Sequence, residues 1–275
     1  VAGNLVLEKT TRNALIVVEH SGRQVPVYPG ATAPLIEPLD TAEHAHGKDG
    51  LGDVGFPGPT QDSESEHAVD FIVRTIMTST EPMHLITLGP LTNIALALGR
   101  ERGLQDRIRS LTMMGGSWSG GNLTPVAEFN TGADPEATDI VFRSRIPKTM
   151  VALDPIREGA TIERQDVDRL GSAGTPWCEM LERLLRKGLE RWPRTKLSLC
   201  DPAAVAVAID PGVAEAELLP VSVETRGQYT RGMTVVDFRR GRGHQLGILE
   251  PNLNVVLRFH SGRFRDLVMN TYLAP

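Results

Sequence analysis

Cysteine is nearly absent. Cys178 and Cys200 are the only two, too few and too widely spaced for a disulfide framework or a zinc knuckle, so reduced thiols and a cytoplasmic setting are expected. Long apolar runs are missing as well. No stretch approaches the ~18 apolar residues of a membrane span, and no basic segment followed by an apolar stretch opens the chain as a signal peptide would. Nor is there a surplus of positive charge: 29 Lys and Arg stand against 34 Asp and Glu, a formal net charge of -5. That balance excludes a general nucleic-acid binder, which holds phosphates with excess Lys and Arg. No Gly-x-Gly-x-x-Gly follows any strand-like run, which argues against a dinucleotide-binding enzyme.

What is present describes an ordinary globular chain with many punctuated loops: 40% hydrophobic and 23% charged residues, 27 Gly and 19 Pro among 275 residues. That length suits one α/β unit, and residues 1–275 are expected to form a single domain. β-rich and helical segments alternate, the pattern of crossover connections in an open, mostly parallel sheet flanked by helices, a Rossmann-type core. Apolar spacing predicts a helix from Lys9 to His20 broken by Gly22, and a short strand at Val25–Tyr28. Residues 30–60, rich in Pro, Gly, Asp and His, read as a long surface loop and a candidate lid. A helix over Ser63–Met77 leads to a strand at His84–Leu88, a Gly89-Pro90 turn, and a helix capped by Thr92 or Asn93. The same order repeats at Ser110–Met114 before Gly115-Gly116, and at Lys148–Leu153 before Asp154-Pro155. Each such turn lies where open α/β sheets place ligands. A helix is expected from Pro176 to Arg191, and another over Ala203–Ile209 with Asp201 at its amino end. Strands at Val221–Thr225, Thr234–Phe238 and Asn254–Phe259 precede a final helix capped by Ser261.

Polar residues concentrate among apolar neighbours at Met114-Gly115-Gly116, Gly121-Asn122, Ala127-Glu128-Phe129-Asn130 and Asp134-Pro135-Glu136. A glycine-rich turn lets a ligand approach the backbone, and two amides with a carboxylate within nine positions can bond several hydroxyls at once. A polyol ligand follows. The alternative is that these side chains only satisfy turn backbone.

With these pieces, Val1-Ala2-Gly3-Asn4, His46-Gly47-Lys48-Asp49-Gly50, Leu88-Gly89-Pro90-Leu91-Thr92-Asn93 and Asp201-Pro202, the chain resembles the inosine-uridine-preferring nucleoside hydrolase family along its whole length. The resemblance implies a ribonucleoside substrate hydrolysed to base and ribose in purine or pyrimidine salvage. It also implies one Ca²⁺ per subunit of a complete enzyme, and a homodimer or homotetramer. Carried onto this chain, Asp201 and the carbonyl of Leu88 would bind the metal, and Asp201 and Asn130 would contact the ribose hydroxyls. Glu128 and Asn122 would hold the 5′-hydroxyl, Met114 and Asn4 would line the sugar site, and His46 would lie near the base, which is also met by the helix around Trp192. Bland readings exist for three of these: an Asp before Pro often caps a helix, His46 could be a solvated loop residue, and Cys200 could be a buried packing thiol.

Two departures from the family matter. Cys200 stands where many members carry a histidine thought to assist departure of the base, and a thiol is the poorer acid at reference pKa ~8.5 against ~6.5. A cysteine nucleophile is the less favoured role, because no His partner is fixed by the sequence. The family's amino-terminal Asp-x-Asp-Pro-Gly-x-Asp-Asp motif, source of the water-activating aspartate and most metal carboxylates, is not among these residues. Asp210-Pro211-Gly212 is its only echo and reads as a helix stop. The chain starts Val1-Ala2 without methionine, in what reads as the end of a strand. The expectation is therefore a domain whose first strand is missing, with weak calcium binding and impaired turnover. Its alternatives are a non-catalytic ribose- or nucleoside-binding protein and a degraded reading frame with an exposed sheet edge.

Overall fold

A computed structural model describes residues 1–191, 195–239 and 250–274. In chain order the helices are α1 (Leu7–His20), α2 (Glu43–His46), α3 (Ala68–Thr78), α4 (Thr92–Arg100), α5 (Phe129–Ala133), α6 (Pro135–Arg143), α7 (Leu153–Gly159), α8 (Arg164–Gly171), α9 (Pro176–Arg191), α10 (Cys200–Ile209) and α11 (Ser261–Tyr272). The strands are β1 (Met83–Thr87), β2 (Ile108–Met114), β3 (Lys148–Val151), β4 (Thr161–Glu163), β5 (Lys196–Ser198), β6 (Ala214–Leu219), β7 (Val221–Val223), β8 (Thr234–Val236) and β9 (Leu253–Phe259).

Five strands form the central sheet in the order β1-β2-β3-β9-β6. The first three pairings are parallel and the last, β9 with β6, is antiparallel. The expected open, mostly parallel α/β sheet is what the chain builds. Successive side chains of a strand point to opposite faces, and here both faces are covered. Met113, Met150 and Val255 enter a core with α3, α4 and α6. Their neighbours Met114, Val151 and Val256 enter a second core with α7 to α11. Each of the three inner strands therefore carries apolar residues at successive positions, Met113-Met114, Met150-Val151 and Val255-Val256, which is why they were readable as buried runs. β1 is the outer strand on one side, and Ile86 on it stays 41% exposed. Two small antiparallel sheets, β4 with β5 and β7 with β8, sit at the periphery. Among the described residues no helix is long and apolar enough to cross a membrane.

Several local expectations are corrected. Val25–Tyr28 forms no strand among the described residues; Val25 is exposed and Tyr28 stacks on Phe71 with ring centroids 3.8 Å apart. β-propensity without a neighbouring ladder does not make a strand. α3 begins at Ala68 rather than Ser63, because the His67 side chain accepts from the Val69 N–H and sets the start. Thr92 and Asn93 do not cap α4: Leu91 holds that position, Thr92 donates to Asp134, and Asn93 accepts from the Ala31 N–H. Likewise His260, not Ser261, occupies the cap of α11. Asp154-Pro155 is no turn after β3 but the first turn of α7. β6 was not anticipated, since Ala214–Leu219 reads as helical by composition and is recruited by pairing with β9.

Candidate active site

The carboxyl ends of β1 and β2 carry the two backbone groups around which the site forms. Asn130, buried in α5, donates its Nδ2 to the Met114 carbonyl at 3.1 Å and, more loosely, to the Leu88 carbonyl at 3.5 Å. One amide thus ties the ends of two parallel strands together. Glu128 precedes α5 as its cap, and Oε2 accepts from the N–H groups of Gly116 at 3.0 Å and Thr131 at 3.1 Å. Asn122 Oδ1 accepts from the Phe129 N–H at 2.8 Å.

Two glycines allow this approach. Gly116 has φ +83°, and a Cβ there would lie 2.8 Å from Met150 Sδ. At Gly121 a Cβ would fall 2.0 Å from the Ala127 carbonyl oxygen, so any side chain would push apart the turn that carries Asn122.

From the other side, α10 presents Cys200 and Asp201 in its first turn. The Asp201 carboxylate makes no capping bond to that helix, which sets aside the helix-cap reading. It opens onto a cleft of about 570 Å³, whose walls include all nine residues expected from the sequence: Asn4, His46, Leu88, Met114, Asn122, Glu128, Asn130, Cys200 and Asp201. Asp40, Thr41, Ala42, His44, Ala45, Leu123 and Phe129 complete the lining. These seven were not assigned a role from the sequence. The 40–44 segment lies in a loop without periodicity, and only the fold brings it over the sheet. Trp192, expected near the base, lies outside the described residues.

Burial shapes the electrostatics. Desolvation pushes the Glu128 carboxyl up to about 6 against the pull of three backbone N–H donors, and the charge of Asp201 adds a smaller push. Asp201 is also raised to about 6, by desolvation from the protein around it, although the residue itself is exposed to the cleft. The Cys200 thiol is pushed up to about 12, first by burial and then by the charges of Asp201 and Glu128. It therefore stays protonated at neutral pH, which disfavours a thiolate nucleophile. His46 is held below the usual imidazole range by burial, then by Arg191 and His44. His46 stands in the cleft wall and is itself exposed.

Among the described residues no group of three or more His, Cys, Asp and Glu side chains is arranged to hold a metal ion. The cleft offers the Asp201 carboxylate and the Leu88 carbonyl, against the six to eight oxygens that Ca²⁺ takes. The residues present do not by themselves complete a calcium site.

Two amides and two carboxylates thus gather in one cleft at the strand ends of an α/β sheet, where such sheets place small-molecule ligands. Residues 1–266 match the inosine-uridine preferring nucleoside hydrolase family, and the chain belongs to it. It is 36% identical to the pyrimidine-specific ribonucleoside hydrolase RihA of Salmonella gallinarum over 97% of this chain and 86% of that protein. Among solved structures, a purine-preferring ribonucleoside hydrolase from Gardnerella vaginalis superposes with a TM-score of 0.89 at 28% identity, covering 98% of this chain and 87% of that one. The plant nucleoside hydrolase PpNRh1 gives 0.90 at 25% identity, with 100% and 89% covered.

Proposed function

We propose that the cleft binds a ribonucleoside through its ribose hydroxyls and hydrolyses the N-glycosidic bond. The observation that carries this reading is the convergence of Asn122, Glu128 and Asn130 with Asp201, about seventy residues further along the chain, on one cavity. In the reaction a water oxygen bonds to the anomeric carbon and gives up one proton to solvent while the carbon–nitrogen bond breaks, its electron pair leaving with the base. The sugar turns cationic on the way, as in other glycoside hydrolyses. Asp201 and Glu128 are both ionised above about pH 6. They set negative charge around that cation in a partly desolvated site, where it counts for more than in water. Asn130 and Asn122 orient the sugar. Cys200, protonated but too weak an acid, leaves the departing base to take its proton from solvent.

Calcium belongs to the family resemblance, and in this chain Leu88 and Asp201 are the residues toward which it would bind. With so few donors, the 275 residues by themselves bind calcium weakly and turn substrate over slowly. The relatives' names divide between pyrimidine and purine, so base preference is a question for the assay. The test is ribose release from inosine, uridine, cytidine and adenosine, with calcium and with chelator, for the wild-type chain and for Asp201→Asn. Slow, calcium-promoted release that Asp201→Asn abolishes is the expected result. Release equal in the two proteins would overturn the assignment of Asp201, and fast turnover under chelator would overturn the calcium shortfall. The donor shortfall also supports a second reading, a ribonucleoside-binding protein without turnover, whose mark is binding indifferent to chelator.

A further inference from the structure

Behind the wall of the cleft that carries His44 and His46 runs α9, and its basic residues are spaced to meet that wall. Arg183, Lys187 and Arg191 recur every four positions and so share one face of the helix. Each meets the 45–56 stretch. Arg183 Nη2 donates to the Val54 carbonyl at 3.0 Å, and its guanidinium lies 4.7 Å over the Phe56 ring. Gly52 rests on the stem of Lys187, where an added Cβ would stand 3.3 Å from Lys187 Cβ. Arg191 Nη1 donates to the carbonyl of Ala45, the residue beside His46.

α2, which holds His44 and His46, is a single turn of four residues. A turn that short does not hold itself, because nucleation is unfavourable until more hydrogen bonds follow. Lys9 secures the stretch through Glu43 and the Lys48 carbonyl, at 2.6 and 2.7 Å. Further along, Leu51 and Phe56 pack with Met180 and Leu184 of α9, but beside α2 itself a cavity of about 260 Å³ remains, with Ala45, His46, Leu184 and Arg191 among its walls. The position of α2 against α9 is therefore set by polar contact, and Arg191 makes the contact nearest His46.

We propose that Arg191 is a positioning residue, fixing the α2 wall over the ribose floor and so controlling affinity for a whole nucleoside but not for free ribose. The proposal rests on the nucleoside reading above. It assigns Arg191 no contact with substrate; it acts through Ala45 and the register of His44 and His46. The proximity of its charge also helps keep His46 neutral.

The experiment has two arms, both on the full chain. Backbone hydrogen exchange at residues 43–52 is compared in wild type, Arg191→Ala and Arg191→Lys. Binding of uridine, inosine and free ribose to the same proteins is measured by calorimetry. Loss of a charge-assisted hydrogen bond predicts exchange at Ala45–Gly47 roughly tenfold faster in Arg191→Ala, with the sheet amides unchanged. Nucleoside affinity falls by a similar factor while ribose affinity stays within about twofold, and Arg191→Lys recovers part of both effects. Unchanged exchange in Arg191→Ala overturns the positioning role. Parallel loss of nucleoside and ribose binding overturns the selectivity and points to general destabilisation. If wild type binds neither ligand, the nucleoside reading has failed and takes the affinity claim with it, an outcome distinct from the first two.

Discussion

Glu128 combines its place in the proposed site with a cost in stability, and the cost can be read from its environment. The residue is 2% exposed, and burial raises its carboxyl from 4.5 to about 6. A group whose folded-state proton affinity exceeds its unfolded value favours the fold while protonated, and that advantage is lost as pH rises through the folded value. At ~1.4 kcal/mol per tenfold change in proton affinity, ionised Glu128 costs the native state about 2 kcal/mol above pH 6, and nothing well below pH 4.5. Gln stands in for the protonated acid, since its amide oxygen can still accept from Gly116 and Thr131. Glu128→Gln is therefore expected to match wild type near pH 4 and to exceed it by about 2 kcal/mol at pH 8, a rise in melting temperature of roughly 4 °C. Subtracting wild type at each pH cancels the other titrating groups. The same change replaces a charged hydroxyl acceptor, so uridine and ribose should bind roughly 10- to 100-fold more weakly. Greater stability with weaker binding is the signature of a strained functional group. A variant less stable than wild type at pH 8, or one whose difference does not change between pH 4 and pH 8, would refute the reasoning.

Asp134 is fully buried and accepts from the Thr92 hydroxyl at 2.7 Å and the Leu35 and Ala137 N–H groups at 3.0 Å each. Asp134→Ala strands three donors, at ~1–3 kcal/mol apiece, and urea denaturation should show a loss of at least about 3 kcal/mol; a loss below about 1 kcal/mol would contradict the bonding described. Cys200 should resist iodoacetamide at pH 8 in the native protein, where a thiol titrating near 12 leaves a thiolate fraction on the order of one in ten thousand. Mass spectrometry after urea treatment should show both cysteines alkylated, and rapid native labelling of Cys200 would mean that its thiol is not suppressed.

Much of the architecture was legible because its causes are local. The inner strands β2, β3 and β9 are apolar at successive positions since both sheet faces are covered, and α9 and α10 announce themselves by spacing and by proline in the first turn. Where a segment's state depends on a remote partner, local reading failed. Val25–Tyr28 has strand composition and no ladder, while Ala214–Leu219 has helical composition and a partner in β9. The site divides in the same way. Asn122, Glu128, Asn130 and Asp201 could be picked out from their setting and from the family resemblance, with no geometry attached.

By itself, then, the sequence determined the fold class, the order of most elements and the polar residue types of the candidate site, because these follow from periodicity, turn chemistry and side-chain functional groups. Only the tertiary structure decided that these residues share one cleft, that desolvation drives Glu128 and Asp201 to about 6 and Cys200 to about 12, and that Asp40 and His44 line it while Arg191 meets Ala45 behind its wall. Proximity across a hundred residues and the local dielectric are properties of packing, and no short window of sequence contains them.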